Sequence, residues 1–328
     1  MSGIIFTPPS PPNRNLLKNP NFAVIQGTAS GTLANSLALP TASLGYLGET
    51  EWCIAASGGT PAYAFSSLDE RITFTGAAST TAIYLLQRLE SRDTNRIKSK
   101  TVTFSCEISN SLLTSVIWEV FRPTTSDDVH GTIATPTQTL IASGTFTVNS
   151  TLTRYSATFA LPDLASRGLE VRLRVGAQTS GSWVVSRLQL EEGSVATDFN
   201  CGEYSGELQK CQRYFETSYP SGATIGSNLI SVYGSSAVSG MGGVTFTVGE
   251  FYSSFTPIPF IVRKRANPVM TGYSILGTIN TFYNLGGFDQ GSIGFRFVSD
   301  YGFCFYSLNH LPAETGYGAH FTASSHIP

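Results

Sequence analysis

The chain predicts an all-β protein: an antiparallel β-sandwich of jelly-roll type over residues 15–200, one short helix within 201–219, and a second, smaller β-sandwich over 220–328. Three observations carry this expectation. Apolar and polar side chains alternate along many stretches of seven or eight residues, the period of a half-buried strand. Segments rich in Ser, Thr, Gly and Pro separate these stretches with no helical pattern between them, which favours antiparallel connections over crossovers. Charged residues make up only 13% of the 328-residue chain, against 12% aromatics and 32 glycines; soluble proteins average roughly 25% charged, so this chain suits strands and turns better than solvated helices.

Taken in order, residues 1–14 carry the run PPSPP and no apolar period, which reads as an extended arm of polyproline character. In TVTFSCEI the apolar set Val102, Phe104, Cys106 and Ile108 faces one way. In LEVRLRV, Leu169, Val171, Leu173 and Val175 oppose Glu170, Arg172 and Arg174. Tyr155, Ala157, Phe159 and Leu161 make another face, and Val116, Trp118 and Val120 a further one. The stretch AIYLLQRLE is ambiguous on pattern: Leu, Gln, Arg and Glu are good helix formers, whereas Ile83, Leu85 and Leu89 fit alternation. In YSGELQKCQRYFE, by contrast, Tyr204, Leu208, Cys211 and Phe215 fall at helical spacing, with Ser205 as the expected N-cap. So short a helix must pack on something, and it is expected to bridge the two β-units. Beyond 220, Val244, Phe246 and Val248 form one alternating set, Ile293, Phe295 and Phe297 another, and Phe303 and Phe305 begin a third. Turns are marked at GG 242, GG 286, DQG 289 and SDYG 299. No repeat of 20 to 50 residues argues for a solenoid or propeller.

A formal charge of −2 gives no general attraction to nucleic acid or anionic membrane. No apolar run reaches the length of a membrane span, and the first residues lack the pattern of a signal peptide, so membrane insertion is not expected and synthesis in a cytoplasm is. Cys53, Cys106, Cys201, Cys211 and Cys304 are odd in number and lack CxxC spacing, so buried thiols are the default.

Catalytic chemistry is sparse. The carboxylate pairs Asp69/Glu70, Asp127/Asp128 and Glu191/Glu192 are sequence neighbours that a strand sends to opposite faces, so none makes an acid–base couple by itself. His130, His310, His320 and His326 are too scattered for a metal signature, and the Asp127–His130 loop offers at most a weak ion site. No phosphate-binding or dinucleotide fingerprint occurs, and no cofactor is expected. Recognition then falls to aromatic rings, whose faces stack on the CH faces of sugars. Trp118 and Trp183 sit in strand patterns and read as core. Trp52, in a Gly- and Ser-rich neighbourhood, and Tyr273, Tyr283, Tyr301 and Tyr317, beside glycines in expected turns, are the ligand-binding candidates. The basic run Arg263, Lys264, Arg265 reads as a charged face protecting a strand edge, with attraction to an acidic polysaccharide as the alternative.

Several segments also share a resemblance. LQLEEGSVATDF at 188–199 followed by ELQKCQRYFETSY at 207–219, with NLLKNPNF at 15–22, YLLQRLE at 84–90, KTVTFSCEIS at 100–109 and LTRYSATFALP at 152–162 in that order, resembles tail-fibre and receptor-binding proteins of tailed bacteriophages. IPFIVRKRANPVMTGYS at 258–274 and the closing AHFTASSHIP resemble the small terminal β-domain that often follows. The resemblance implies a strand at 84–90 and a structural contact of Glu191 or Glu192 with a neighbouring turn. It also implies a non-enzymatic virion subunit, commonly a homotrimer, that docks to other virion proteins through residues 1–14 and meets a host-surface glycan or protein receptor. A capsid or collar decoration fibre, or a tailspike depolymerase, are the alternatives it leaves.

Overall fold

The computed structural model describes residues 15–33, 35–41, 45–47, 50–220, 222–229, 257–284, 287–307 and 316–328, with the backbone of 244–247. The arm at 1–14, Val248, the turns at 242 and 286 and His310 lie outside the described residues. The fold is an all-β sandwich followed by a smaller β-lobe, with every named strand pairing antiparallel.

One sheet of the first lobe runs β1 (Ser30–Thr32), β3 (Ala62–Ser66), β4 (Arg71–Thr75), β11 (Ser182–Glu192), β6 (Thr101–Asn110), β9 (Thr153–Ala160). The facing sheet runs β2 (Cys53–Gly58), β5 (Thr80–Leu89), β10 (Leu169–Val175), β7 (Ser115–Pro123), β8 (Gln138–Thr147). AIYLLQRLE is therefore a strand, its helix-forming residues overridden by seven ladder pairs to β10. The alternating sets meet between the sheets, where Trp183 stacks on Phe74 at 4.7 Å and Trp118 on Phe159 at 5.7 Å. A bulge between Ser186 and Gln189, with Arg187 at φ 47°, turns β11 away from β4. Past it the strand bonds the segment at 15–20: Leu188 donates to Pro20 O, and Leu16 to Leu190 O.

A short helix, α1 (Ser91–Thr94), follows β5, and a second, α2 (Tyr204–Gln212), follows the sandwich. The stripe expected on α2 is rotated. Tyr204 is exposed, Ser205 lies inside the first turn, the N-cap is Glu203, and Phe215 opens β12 (Phe215–Thr217); Glu207 and Cys211 take the buried face. The cause is polar: the Glu207 carboxylate accepts the Asn19 amide at 2.9 Å and pairs with Lys210, which aims that face at the first lobe.

In the second lobe β20 (Gly316–Ser324) is the hub, pairing β12, β13 (Val244–Thr247), β15 (Val269–Tyr273) and β16 (Phe282–Asn284), while β17 (Phe288–Gln290) extends β16. A second sheet orders β14 (Pro257–Pro259), β19 (Gly302–Ser307), β18 (Ile293–Arg296). Phe260, Phe282, Phe303, Phe305 and Phe321 fill the space between. The strand expected through Phe297 ends at Arg296, because Phe297 takes φ 54° and swings out to solvent.

The lobes are joined by buried polar contacts. Arg213 pairs with Glu90 at 2.9 Å and Tyr214 gives its hydroxyl to the same carboxylate. The segment after β20 enters the first lobe: Ser325 N donates to Tyr214 O, Tyr46 Oη to Ile327 O at 2.8 Å, Arg88 to Ile327 O, and His130 N to Pro328 O. His326 stacks on Tyr46 at 4.0 Å and lies 3.1 Å from Glu51. Lys264 and Arg265 of the basic run belong to this junction, not to a strand edge, while Arg263 stays exposed beside Asp300. Lys264 is buried against Glu216 at 2.6 Å, and Arg265 donates to the carbonyls of Ser325 and His326. Burial pushes the Lys264 ammonium below its usual range, with Glu216 opposing. Lys264→Met should strand Glu216 and cost about 3–5 kcal/mol, with much of it recovered by adding Glu216→Gln. Chemical denaturation of the single and double variants checks this, and equal losses in both would refute it.

Candidate functional site

A functional face must combine exposure with a rigid backbone, and the outer side of the five-stranded sheet does so in a graded way. Strand parity that sends Ile83, Leu85, Leu173 and Val116 inward sends the neighbouring residues outward in rows across the sheet. One row is Ala55, Tyr84, Arg174, Ile117, Thr145. The next is Cys53, Leu86, Arg172, Glu119, Ser143, and a third places Arg88, Glu170, Phe121 and Leu140 side by side.

Arg88 and Glu170 of the third row, and Cys53, Leu86 and Arg172 of the second, are roofed over, while Leu140 at the far end stays exposed. Leu39, Tyr46 and Ile133 pack on Cys53 and Leu86, and the two covering segments are tied by Ile133 N to Leu39 O and Ala134 N to Leu37 O. Beneath them Glu170, fully buried, accepts from Arg88 at 2.8 Å, from Gln138 at 2.7 Å and from Arg172. Burial alone would push the Glu170 carboxyl up, but Arg88 and Arg172 hold it down to about 2. His130, also buried, shares Gln138 at 3.1 Å, and burial pushes it down to about 3, so it is neutral. The residues expected to project outward from LEVRLRV are thus largely enclosed, and the Asp127–His130 loop is a structural seam: Asp128 accepts Ser91 N at 2.6 Å. Among the described residues no three His, Cys, Asp or Glu side chains gather as a metal site.

The first row is closed at Ala55 and open from Tyr84 to Thr145. Tyr84 and Ile117 are half-buried, Arg174 is 36% exposed at its side chain, and Thr145 and Ser143 are exposed. Glu119 stands 3.3 Å from Arg174 and 3.8 Å from Arg172, and Arg172 lies over the Phe121 ring at 4.5 Å. A ring, a guanidinium and a carboxylate are therefore fixed side by side on paired strands, next to a wall of loops.

The five aromatic candidates fare differently. Trp52 is 1% exposed and gives its indole N–H to Asn19 O at 2.9 Å; it is a core anchor for the segment after Asn15. Tyr283 and Tyr317 are buried, Tyr317 lying within β20 beside Phe282. Tyr273 is half-buried, edge-on to Tyr219 at 5.7 Å. Of the five only Tyr301 is exposed, and Arg263, itself bound to Asp300, covers one face at 4.3 Å. Burial removes Trp52, Tyr283 and Tyr317 from stacking on a ligand, and the candidates do not converge. Tyr84 was missed, although the alternation around Ile83 and Leu85 already placed it on the outer face.

Glu191 accepts Thr197 N at 2.8 Å and Thr197 Oγ1 at 2.6 Å, while Glu192 pairs with Lys100 at 2.8 Å. The first of these pins the turn after β11. The five cysteines are all thiols, Cys201 half-exposed and the others buried. No helix among the described residues is long and apolar enough to cross a membrane.

No protein-family model and no curated protein matches this sequence. Among solved structures, the chain is similar to a structure described under "CBM4 structure and function", at 14% identity over 51% of this chain and 98% of that one, with a TM-score of 0.35. It is similar to TmCBM61 in complex with β-1,4-galactotriose at 10% identity, 55% and 100% coverage and TM-score 0.32. The enzymatically active domain of tailspike protein 4 of bacteriophage CBA120 is similar at 11% identity, over 48% of this chain and 21% of that one, with a TM-score of 0.31.

Proposed function

We propose that this chain is a non-catalytic, glycan-binding subunit of a surface appendage of a tailed bacteriophage particle. The observation that carries the glycan half is the open row of the five-stranded sheet. Tyr84 offers a ring face for sugar CH groups, while Arg174 and Glu119 offer a donor fork and an acceptor for paired hydroxyls. The strands beneath are fully laddered, so little order has to be gained on binding. The particle half is supported by the order of the motifs and by their gathering at one junction: Asn15, Gln87, Glu90, Gln189, Arg213 and Tyr214 all hold neighbouring segments there. In this reading the subunit is a homotrimer in the virion, anchored through residues 1–14.

The test is binding of the full chain to host-surface polysaccharides arrayed in parallel. Tyr84→Ala and Arg174→Ala should each weaken binding about tenfold, ~1.4 kcal/mol, without a large change in melting temperature. Binding unchanged in both variants would overturn the assignment of this face. Release of reducing ends from a bound polysaccharide would overturn the non-catalytic part, and absence from purified particles the virion part.

A further inference from the structure

A cavity of about 290 Å³ lies at the junction, between the segment 15–18, α1 and α2. Its walls are rich in positive charge. Lys210 and Arg213 are neutralised by Glu207 and Glu90. Arg92 and Arg96 are not: four positions apart on α1 and the turn that continues it, both are exposed, and no carboxylate among the described residues pairs with either. Deeper in the same wall sits Lys18, its side chain 9% exposed. Its ammonium is 3.2 Å from Asp93 and 4.7 Å over the Tyr214 ring, yet makes no aligned hydrogen bond. One carboxylate, Asp93, faces this cavity beside Lys18, and it leaves donors of the buried ammonium unmatched and both guanidinium forks uncommitted, so the cavity is short of an oxyanion.

We propose that this cavity is an oxyanion site that takes the carboxylate or phosphate group of an acidic sugar. The sugar half rests on the glycan-binding reading above; the anion half does not. The volume sits at the small end of ligand pockets, which run from roughly 300 Å³, and fits a single charged saccharide unit rather than a polymer segment. Arg92 and Arg96 would grip the anion at the rim, and the Lys18 charge beneath would add attraction. Because the cavity lies at the junction and not on the five-stranded sheet, the two sites are separable by mutation.

The experiment is calorimetric titration of the full chain at low salt with inorganic phosphate, glucuronic acid and glucose, comparing the parent with Arg92→Ala/Arg96→Ala. Both positions are exposed, so the variant should keep its melting temperature in anion-free buffer. The expected result is binding of phosphate and glucuronic acid but not glucose, weakened at least tenfold in the double variant and partly restored in Arg92→Lys/Arg96→Lys. Equal binding by parent and double variant, or no heat with either anion, overturns the proposal. Phosphate binding without glucuronic acid overturns the saccharide half. Loss of neutral-glycan binding on Tyr84→Ala with anion binding intact would separate a failure of one site from a failure of the other.

Discussion

Removal of Ser325–Pro328 should split the melting of this protein into two transitions and lower the first by on the order of 10 °C. The segment supplies acceptors to Arg265 at 2.8 and 3.1 Å, to Tyr46 at 2.8 Å and to Arg88 at 3.3 Å, and His326 meets Glu51. These partners are buried or half-buried, and each one left unsatisfied costs about 1–3 kcal/mol. Water entering the vacated space restores part of that, leaving a loss of about 5 kcal/mol. That is a large share of the roughly 5–15 kcal/mol that keeps a domain folded. One kcal/mol moves the midpoint of a domain this size by about 2–4 °C. Scanning calorimetry of the shortened chain checks the expectation; one cooperative transition within a few degrees of the parent would show that the lobes are coupled elsewhere.

Acid should destabilise the fold well above the usual carboxylate range. Burial pushes His130 down to about 3 and His320 down to about 4, from an ordinary value of 6.5. Both are neutral when folded and take up a proton on unfolding, so the unfolded chain binds more protons below pH 6.5. Stability is therefore complete above that pH and falls as pH drops towards 4, by up to about 1.4 kcal/mol per pH unit for each histidine. Below about 4.5 a second loss begins as Glu170, held at about 2 by its two arginines, also becomes a net proton acceptor on unfolding. Melting temperatures between pH 7.5 and 4 should fall steeply in the parent and less so in His130→Gln/His320→Gln. Parallel curves would show that neither ring is buried as described.

Alternation made the strands legible. Val102, Phe104, Cys106 and Ile108 share the inner face of β6, and Leu169, Val171, Leu173 and Val175 that of β10. Period two reports which residues share a face but not what covers the other side. Glu170 and Arg172 were expected on the outward face and lie beneath covering segments that include Leu39, Tyr46 and 129–137, a tertiary event without a local signature. The same gap explains Tyr317, whose flanking glycines read as a turn although they open the hub strand, Gly316 pairing with β13 and Gly318 with β13 and β16. Helical spacing located α2 and its buried Cys211 but missed the rotation of the stripe for a related reason. An apolar stripe was assumed to choose the buried face, but a carboxylate, Glu207, chose it by bonding Asn19. The open row with Tyr84 and Arg174 was readable by parity, yet nothing local distinguished it from the roofed rows beside it.

The hub position of β20 also orders events during synthesis. The sandwich core is complete once residue 192 has been made, and it can bury itself while the rest of the chain is still being added. The second lobe has no such freedom. β12, β13, β15 and β16 all wait for Gly316–Ser324, and Tyr46, Arg88 and Glu51 wait for the four residues after that. From residue 192 until Gly316–Ser324 is made, the first lobe therefore stands finished beside a string of unpaired strands, an interval in which neighbouring nascent copies can exchange them.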